Sequence, residues 1–259
     1  MVMTSRNISA QLFSTDVELH RRANCNEVLT EASILLECRH PNILLMLGFT
    51  LNLDYGPVLI MEKFWGSASK ALYSQRLHAI TAIRIADQVA TALHYLFRLR
   101  IHHGAVNIHN VVLSDPPDHP LTVNVVAKLT DFSNAKLGVN DNRVLDRDMR
   151  AYGVLTSNLF VEDISNIVRF DKSISEVDQE MVMLNLEAIR TDHPELVDLL
   201  IKLVSPTLTT AREVDERFSK LHVLLRLRGN SKHTTSLVHW PGDQVLRSPL
   251  SSAEATVQP

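Results

Sequence analysis

His102, His103 and His109 form a cluster of chemistry-bearing side chains in this 259-residue chain. Imidazole nitrogens bind transition metals and exchange protons near neutral pH, but this spacing matches neither H-E-x-x-H nor a common zinc pattern, so an ordinary loop role is expected. Cys25 and Cys38 fall in one helical stretch and add no zinc-type Cys/His spacing, which favours a reducing cytoplasmic or nuclear setting. Asn7-Ile8-Ser9 matches the glycosylation sequon, yet MVMTSRNIS lacks the apolar core of a secretory signal, and the match reads as chance. Ser248-Pro249 offers a phosphorylation site of low specificity. Trp240, with Leu237 and Val238, has two readings, docking a partner or folding back on the body.

The elements that would position such residues follow from the apolar pattern. Hydrophobic residues make up 45% of the chain and charged residues 21%, enough to bury a substantial core. With 26 basic and 29 acidic residues scattered along it, the chain shows no electrostatic footprint for nucleic acid or an anionic membrane. No stretch reaches the length of a membrane span. A short strand is expected over 8–13 and a helix over 26–38, its apolar positions Val28, Leu29, Ala32, Leu35 and Leu36 recurring at helical spacing before His40-Pro41 stops it. Ile43 to Thr50 and Pro57 to Met61 flank Asn52-Leu53-Asp54-Tyr55-Gly56, which predicts an antiparallel hairpin. A long amphipathic helix follows from Ile80 to Leu99, burying Ile85, Val89, Leu93 and Leu96. Short β-rich runs at 111–113 and 125–129 precede helices expected at about 148–161, 174–190, 194–204 and 211–226.

Five segments in order resemble the protein kinases. Glu31 to Ile43 is similar to the family's αC helix and the H-P-N-I-type turn after it, with nine residues from Glu31 to His40 as in that family. Leu59-Ile60-Met61-Glu62-Lys63-Phe64 resembles the hinge strand, with Met61 as gatekeeper. His103-Gly104-Ala105-Val106-Asn107-Ile108-His109-Asn110-Val111-Val112-Leu113 resembles the catalytic loop H-R-D-L-K-x-x-N-[VI]-L-L, its ends kept and its middle rewritten. Lys128 to Ser133 resembles the D-F-G segment, and Asp148 to Leu155 the start of the αF helix. The resemblance covers about residues 8–226 and lies nearest the tyrosine-kinase-like and serine/threonine branches. It implies an α+β, bilobal protein kinase-like fold: a truncated β-rich N-lobe over 1–64 (the family's lysine strand, αC, two further strands and the hinge), a helical C-lobe over 65–228, and a disordered tail over 229–259.

Phosphoryl transfer is mostly positioning and charge neutralisation. A glycine-rich loop covers the phosphates, a strand lysine contacts them, an aspartate takes the hydroxyl proton, and Asn and Asp hold Mg²⁺. Matching Ile8-Ser9-Ala10-Gln11 to V-A-x-K puts Gln11 at the lysine, with no room for a glycine-rich loop before it. Glu31 then lacks its partner and is expected to be a solvated helix carboxylate, unless Lys128 serves instead. Ala105 stands at the proton acceptor, where general acid–base help is worth roughly 10²- to 10⁴-fold in rate, or about 3 to 5.5 kcal/mol. Gly104 replaces the arginine that receives an activation-loop phosphate. Asn107 takes the place of the loop lysine. Asn110 and Asp131 survive as Mg²⁺ ligands, although Asp131 also reads as capping its own turn. Ser133 replaces the D-F-G glycine and narrows its dihedral freedom. Only 16 residues separate Asp131 from Asp148, without an A-P-E motif, so no substrate platform is expected.

The positions resembling the regulatory spine, Leu35, Met46, His103 and Phe132 with Asp148 as anchor, keep types suited to packing. The expectation is therefore a degenerate member, a pseudokinase acting as a protein-binding scaffold or allosteric regulator in signalling. It would need no cofactor, with weak ATP and Mg²⁺ binding left open in a vestigial cleft of Gln11, Glu31, Met61, Glu62, Phe64, Asn110 and Asp131. Protein partners are expected, nucleic acid and membrane are not. The alternative is an active serine/threonine kinase with a non-standard lysine and base.

Overall fold

The computed structural model describes residues 17–21, 25–52, 56–74, 77–117, 125–139, 142–161, 164–168, 176–187, 189–204 and 211–229. The strand expected at 8–13, Gln11 with it, and the stretch from 230 onward lie outside them. A three-stranded antiparallel sheet is built from β1 (Val17–Arg21), β2 (Met46–Asn52) and β3 (Gly56–Glu62) in the order β1-β3-β2. Its central strand β3 is a continuous apolar run, and Val58, Leu59, Ile60 and Met61 are all buried. The expected hairpin forms, with Phe49 opposite Leu59 and Met46 opposite Met61 across a bulge at Met46/Gly48. On the other side Glu18 stands opposite Met61 and His20 opposite Leu59. This strand, Val-Glu-Leu-His-Arg, alternates apolar and polar residues over its first four positions and is not among the strands expected from the sequence.

Helix α1 (Cys25–Glu37) packs against β2 and β3. Its buried face differs from the expected one: Val28, Ala32, Ile34 and Leu35 go inward together with Glu31, while Leu29 and Leu36 are more than half exposed. After α1 the chain is stitched to a second sheet, with Leu44 N–H donating to Leu129 O (2.9 Å) and Leu129 N–H to Asn42 O (2.8 Å). That sheet has the order β4-β5-β6, from β4 (Gly66–Ser67), β5 (Val111–Leu113) and β6 (Ala127–Leu129). A short helix α2 (Ala68–Ser74), not anticipated from the sequence, follows β4 directly.

The long helix α3 (Ala79–Arg98) buries Ile85, Val89, Leu93 and Leu96 as its period requires, along with Ala82, Ala86, Ala90 and Ala92. Its end is a Schellman turn. Ile101 N–H donates to Leu96 O and Arg100 N–H to Phe97 O, both at 2.9 Å, and Arg100 takes φ 56°. This reversal delivers His102 and His103 to the centre of the molecule. Helix α4 (Asn142–Leu159) begins six residues before the expected start. Its Tyr152 is fully buried and donates to Ala86 O on α3 at 3.1 Å, and burial raises the phenol pKa. Gly153 lets α4 approach α6 (Pro194–Val204), since a Cβ there would meet Val204 Cγ2 at 2.7 Å. Helices α5 (Glu176–Glu187) and α7 (Ala211–Gly229) complete the described body, α7 meeting α3 through a His94–Phe218 stack at 5.0 Å. Among the described residues no helix is long and apolar enough to cross a membrane.

Candidate functional site

The loop after α3 is held by one carboxylate. Asp148 on α4 accepts His103 N–H at Oδ2 (2.7 Å) and Gly104 N–H at Oδ1 (3.0 Å), and it is itself buried. His102 Nδ1 also approaches Asp148 Oδ2 at 2.8 Å, but off the direction of a hydrogen bond. Two amides sharing one carboxylate, His103's buried and Gly104's part-buried, make charge-assisted bonds of the stronger kind. Asp148 therefore fixes the direction in which the next residues leave.

His103 has no exposed surface, and its ring is committed at both nitrogens. Nδ1 accepts Ala105 N–H at 3.2 Å, so Nε2 carries the hydrogen and donates to Thr130 O at 3.1 Å. That is a neutral imidazole, consistent with burial lowering its pKa against the opposing pull of Asp148. Its ring meets Phe132 edge-on at 4.6 Å. Leu35, Met46 and Phe132 lie within the one buried core, which His103 meets through Phe132. The three histidines do not converge: His109 is exposed, whereas His102 and His103 are buried on opposite tasks. Cys38 is also buried, with its thiol pushed up to about 11 by desolvation and by Glu37.

Beyond His103 the loop keeps its shape through backbone acceptors. Ala105 O receives both Asn107 Nδ2 (3.0 Å) and Asn110 Nδ2 (2.8 Å), while Asn107 Oδ1 accepts His109 N–H (2.8 Å) and Asn110 N–H (3.2 Å). Asn110 thus spends its amide nitrogen on the loop. The residue before Asp131 is tied to it as well, Thr130 N–H donating to Asn110 O at 2.9 Å.

Asp131 lies in the left-handed region at φ 64°, a conformation aspartate tolerates better than most residues. Its Oδ1 accepts Ser133 Oγ–H at 2.7 Å and, more weakly, Ser133 N–H at 3.4 Å. This is the turn-capping geometry anticipated as one of its two readings. The following segment then crosses the loop. Gly104 has φ 77°, and a Cβ on it would sit 2.8 Å from Asn134 O, so glycine is required both by dihedral and by space. His102 and Lys136 exchange backbone hydrogen bonds at 2.9 and 2.8 Å.

Two expectations are corrected. Glu31 is not a solvated carboxylate: it is fully buried, and its Oε1 accepts Phe132 N–H at 3.2 Å. Nor does Lys128 serve it, because Lys128 Nζ lies 2.6 Å from Glu62 Oε1, which also accepts Leu45 N–H at 2.7 Å. Glu62 therefore directs its side chain toward β6 and the turn before β2. Met61 is fully buried and Phe64 is half-buried against the core. Gln88 on α3 was not singled out in the sequence, although it accepts Asn42 Nδ2 and Ala127 N–H and donates to Val125 O, orienting β6. A lone glutamine inside an amphipathic helix gives no sign of such a role.

A family model for the protein tyrosine and serine/threonine kinases matches residues 15–155, more than half of the chain. Among curated proteins, the salt tolerance receptor-like cytoplasmic kinase 1 of Oryza sativa subsp. japonica is 31% identical over 119 residues, covering 42% of this chain. The matched region spans 31% of that protein's length.

Proposed function

The chain belongs to the protein tyrosine and serine/threonine kinase family, and from that premise we propose that it is a pseudokinase, a scaffold that binds and positions protein partners without transferring phosphate. The observation that carries this is Ala105. It stands two residues after His103, where the family's loop has its aspartate, and a methyl group accepts no proton. The loop's own contacts to Ala105 use its backbone N–H and carbonyl, so the geometry persists without the carboxylate.

Laying V-A-x-K on the strand beside β3, Val17-Glu18-Leu19-His20, gives His20 the fourth position, a second candidate for the lysine position beside Gln11. In this reading Glu31 has a structural role, holding the Phe132 amide. Asn110 and Asp131 offer one amide oxygen and one carboxylate, a donor set that fits a hard oxygen-seeking cation such as Mg²⁺ beside nucleotide phosphates. Such an ion would supply neutralisation of phosphate charge. We assign to these residues a weak nucleotide cleft with Met61, Glu62 and Phe64 along its hinge side, and a cytoplasmic or nuclear setting to the protein.

An active kinase with a substituted base is the competing reading, favoured by the retention of Asp131 and Asn110 and by the inward position of Glu31. Steady-state ADP release by the purified protein with ATP, Mg²⁺ and a general protein substrate separates the two, with Asp131→Ala as background. Equal rates in both proteins support the scaffold, and a rate that disappears in Asp131→Ala supports the enzyme.

A further inference from the structure

Ser133 is the one departure in the Asp131-Phe132-Ser133 turn that adds a functional group. It contributes a hydroxyl where the family pattern has glycine, and that hydroxyl is placed on Asp131 Oδ1 at 2.7 Å. The same oxygen accepts Ser133 N–H at 3.4 Å, so two donors of one residue converge on the carboxylate assigned to the cation. A charge-assisted O–H···O⁻ bond of this length belongs to the stronger class of hydrogen bonds. It lowers the charge available to a metal and fixes the carboxylate's rotation about the turn.

The surroundings keep this clamp in place. Asn134 Nδ2 lies 3.4 Å from Ser133 Oγ, Ala135 N–H closes the turn on Phe132 O at 3.0 Å, and Asn134 O packs over Gly104. The turn cannot slide to release Asp131 without opening contacts on both sides. Glycine would offer this carboxylate the backbone N–H alone, one donor fewer.

We propose that the Ser133 hydroxyl competes with a divalent cation for Asp131, holding the metal–nucleotide affinity of this cleft below what Asp131 and Asn110 could deliver. This rests on the cleft assigned above. Ser133 acts through Asp131 and is a positioning residue. The opposite role is physically possible, since a hydrogen bond that orients a metal ligand raises affinity, and the two roles differ in sign.

The test is binding rather than turnover. Mn²⁺ is titrated in the presence of ADP and followed by the loss of the free-ion electron paramagnetic resonance signal, in the full chain and in Ser133→Ala, Ser133→Thr and Ser133→Ala/Asp131→Asn. Ser133→Ala is expected to bind about tenfold more tightly, the worth of one charge-assisted hydrogen bond. Ser133→Thr keeps the hydroxyl and is expected to match the parent, and the double variant is expected to lose the gain. An Ser133→Ala affinity equal to or below that of the parent, undetectable binding in both included, overturns the proposal. So does a gain that survives Asp131→Asn. These outcomes are independent of the scaffold reading, which fails only on Asp131-dependent ADP release by the unmodified protein.

Discussion

At the scale of single residues, the polar positions around the loop after α3 divide into those that hold it and those that chemistry would use. Asp148 belongs to the first group. Asp148→Ala strands the buried His103 amide, at about 1–3 kcal/mol, and a part-buried Gly104 amide that water can partly serve, so a loss of about 2 kcal/mol is expected in urea denaturation; a loss below about 1 kcal/mol would show that Asp148 does not organise the loop. His103 adds a pH dependence. Its folded pKa is lowered by burial, so the unfolded chain binds the proton more readily. The stability this provides is present above the unfolded value of about 6.5 and is lost as pH falls from there toward the folded pKa. Thermal unfolding should shift downward between pH 7.5 and 5.5, with a smaller shift in His103→Gln; equal shifts would remove His103 from the explanation. Asn110, Asp131, His103 and Asp148 were legible in the sequence because their neighbours carry a recognisable order. Glu31 was not. A helix carboxylate without a nearby cation reads as solvated, and its actual partner is an amide 101 residues away.

Between elements, the informative contact is the segment after Phe132 lying against the loop after α3. Its shortness lets α4 begin early, and Asn134 O then occupies the space over Gly104. Restoring the family's arginine there is expected to fail. Gly104→Arg meets a backbone atom and a left-handed dihedral together, and a cost of about 2 kcal/mol or more is expected by denaturant midpoint; an unchanged midpoint would mean that the segment can lift away. Helix and strand types were readable from periodicity, as α3 and the β2–β3 hairpin demonstrate. The buried side of α1 was misjudged because Leu29 and Leu36 continue an apolar period while Glu31 and Ile34 take the inward positions. Burial is decided by what faces a helix, and the sequence of the helix does not contain that. β1 escaped notice for a related reason, since five residues with alternating polar side chains pair with β3 through their backbones.

For the whole molecule, the core is that of a kinase-family chain, and the proposal concerns only the polar positions set on it. Phe132, Leu35 and Met46 are buried in one continuous core with β3 and α3, and the buried His103 meets that core edge-on at Phe132. Cooperative folding requires that core, whereas turnover requires carboxylates at defined points, so the two can be lost separately. Returning the acid alone should not revive catalysis: Ala105→Asp is expected to leave ADP release at background, because no lysine lies in Val17–Arg21 and Ser133 still engages Asp131. Release dependent on the new aspartate would show that Ala105 was the sole defect.

The most direct measurement is a single-turnover experiment with protein in excess over γ-labelled ATP, following label into the chain itself and into an added general substrate for hours. No transfer above the Asp131→Ala background is the expected result. Label that accumulates in the unmodified protein and vanishes in Asp131→Ala would contradict the claim that this kinase-family chain does not transfer phosphate.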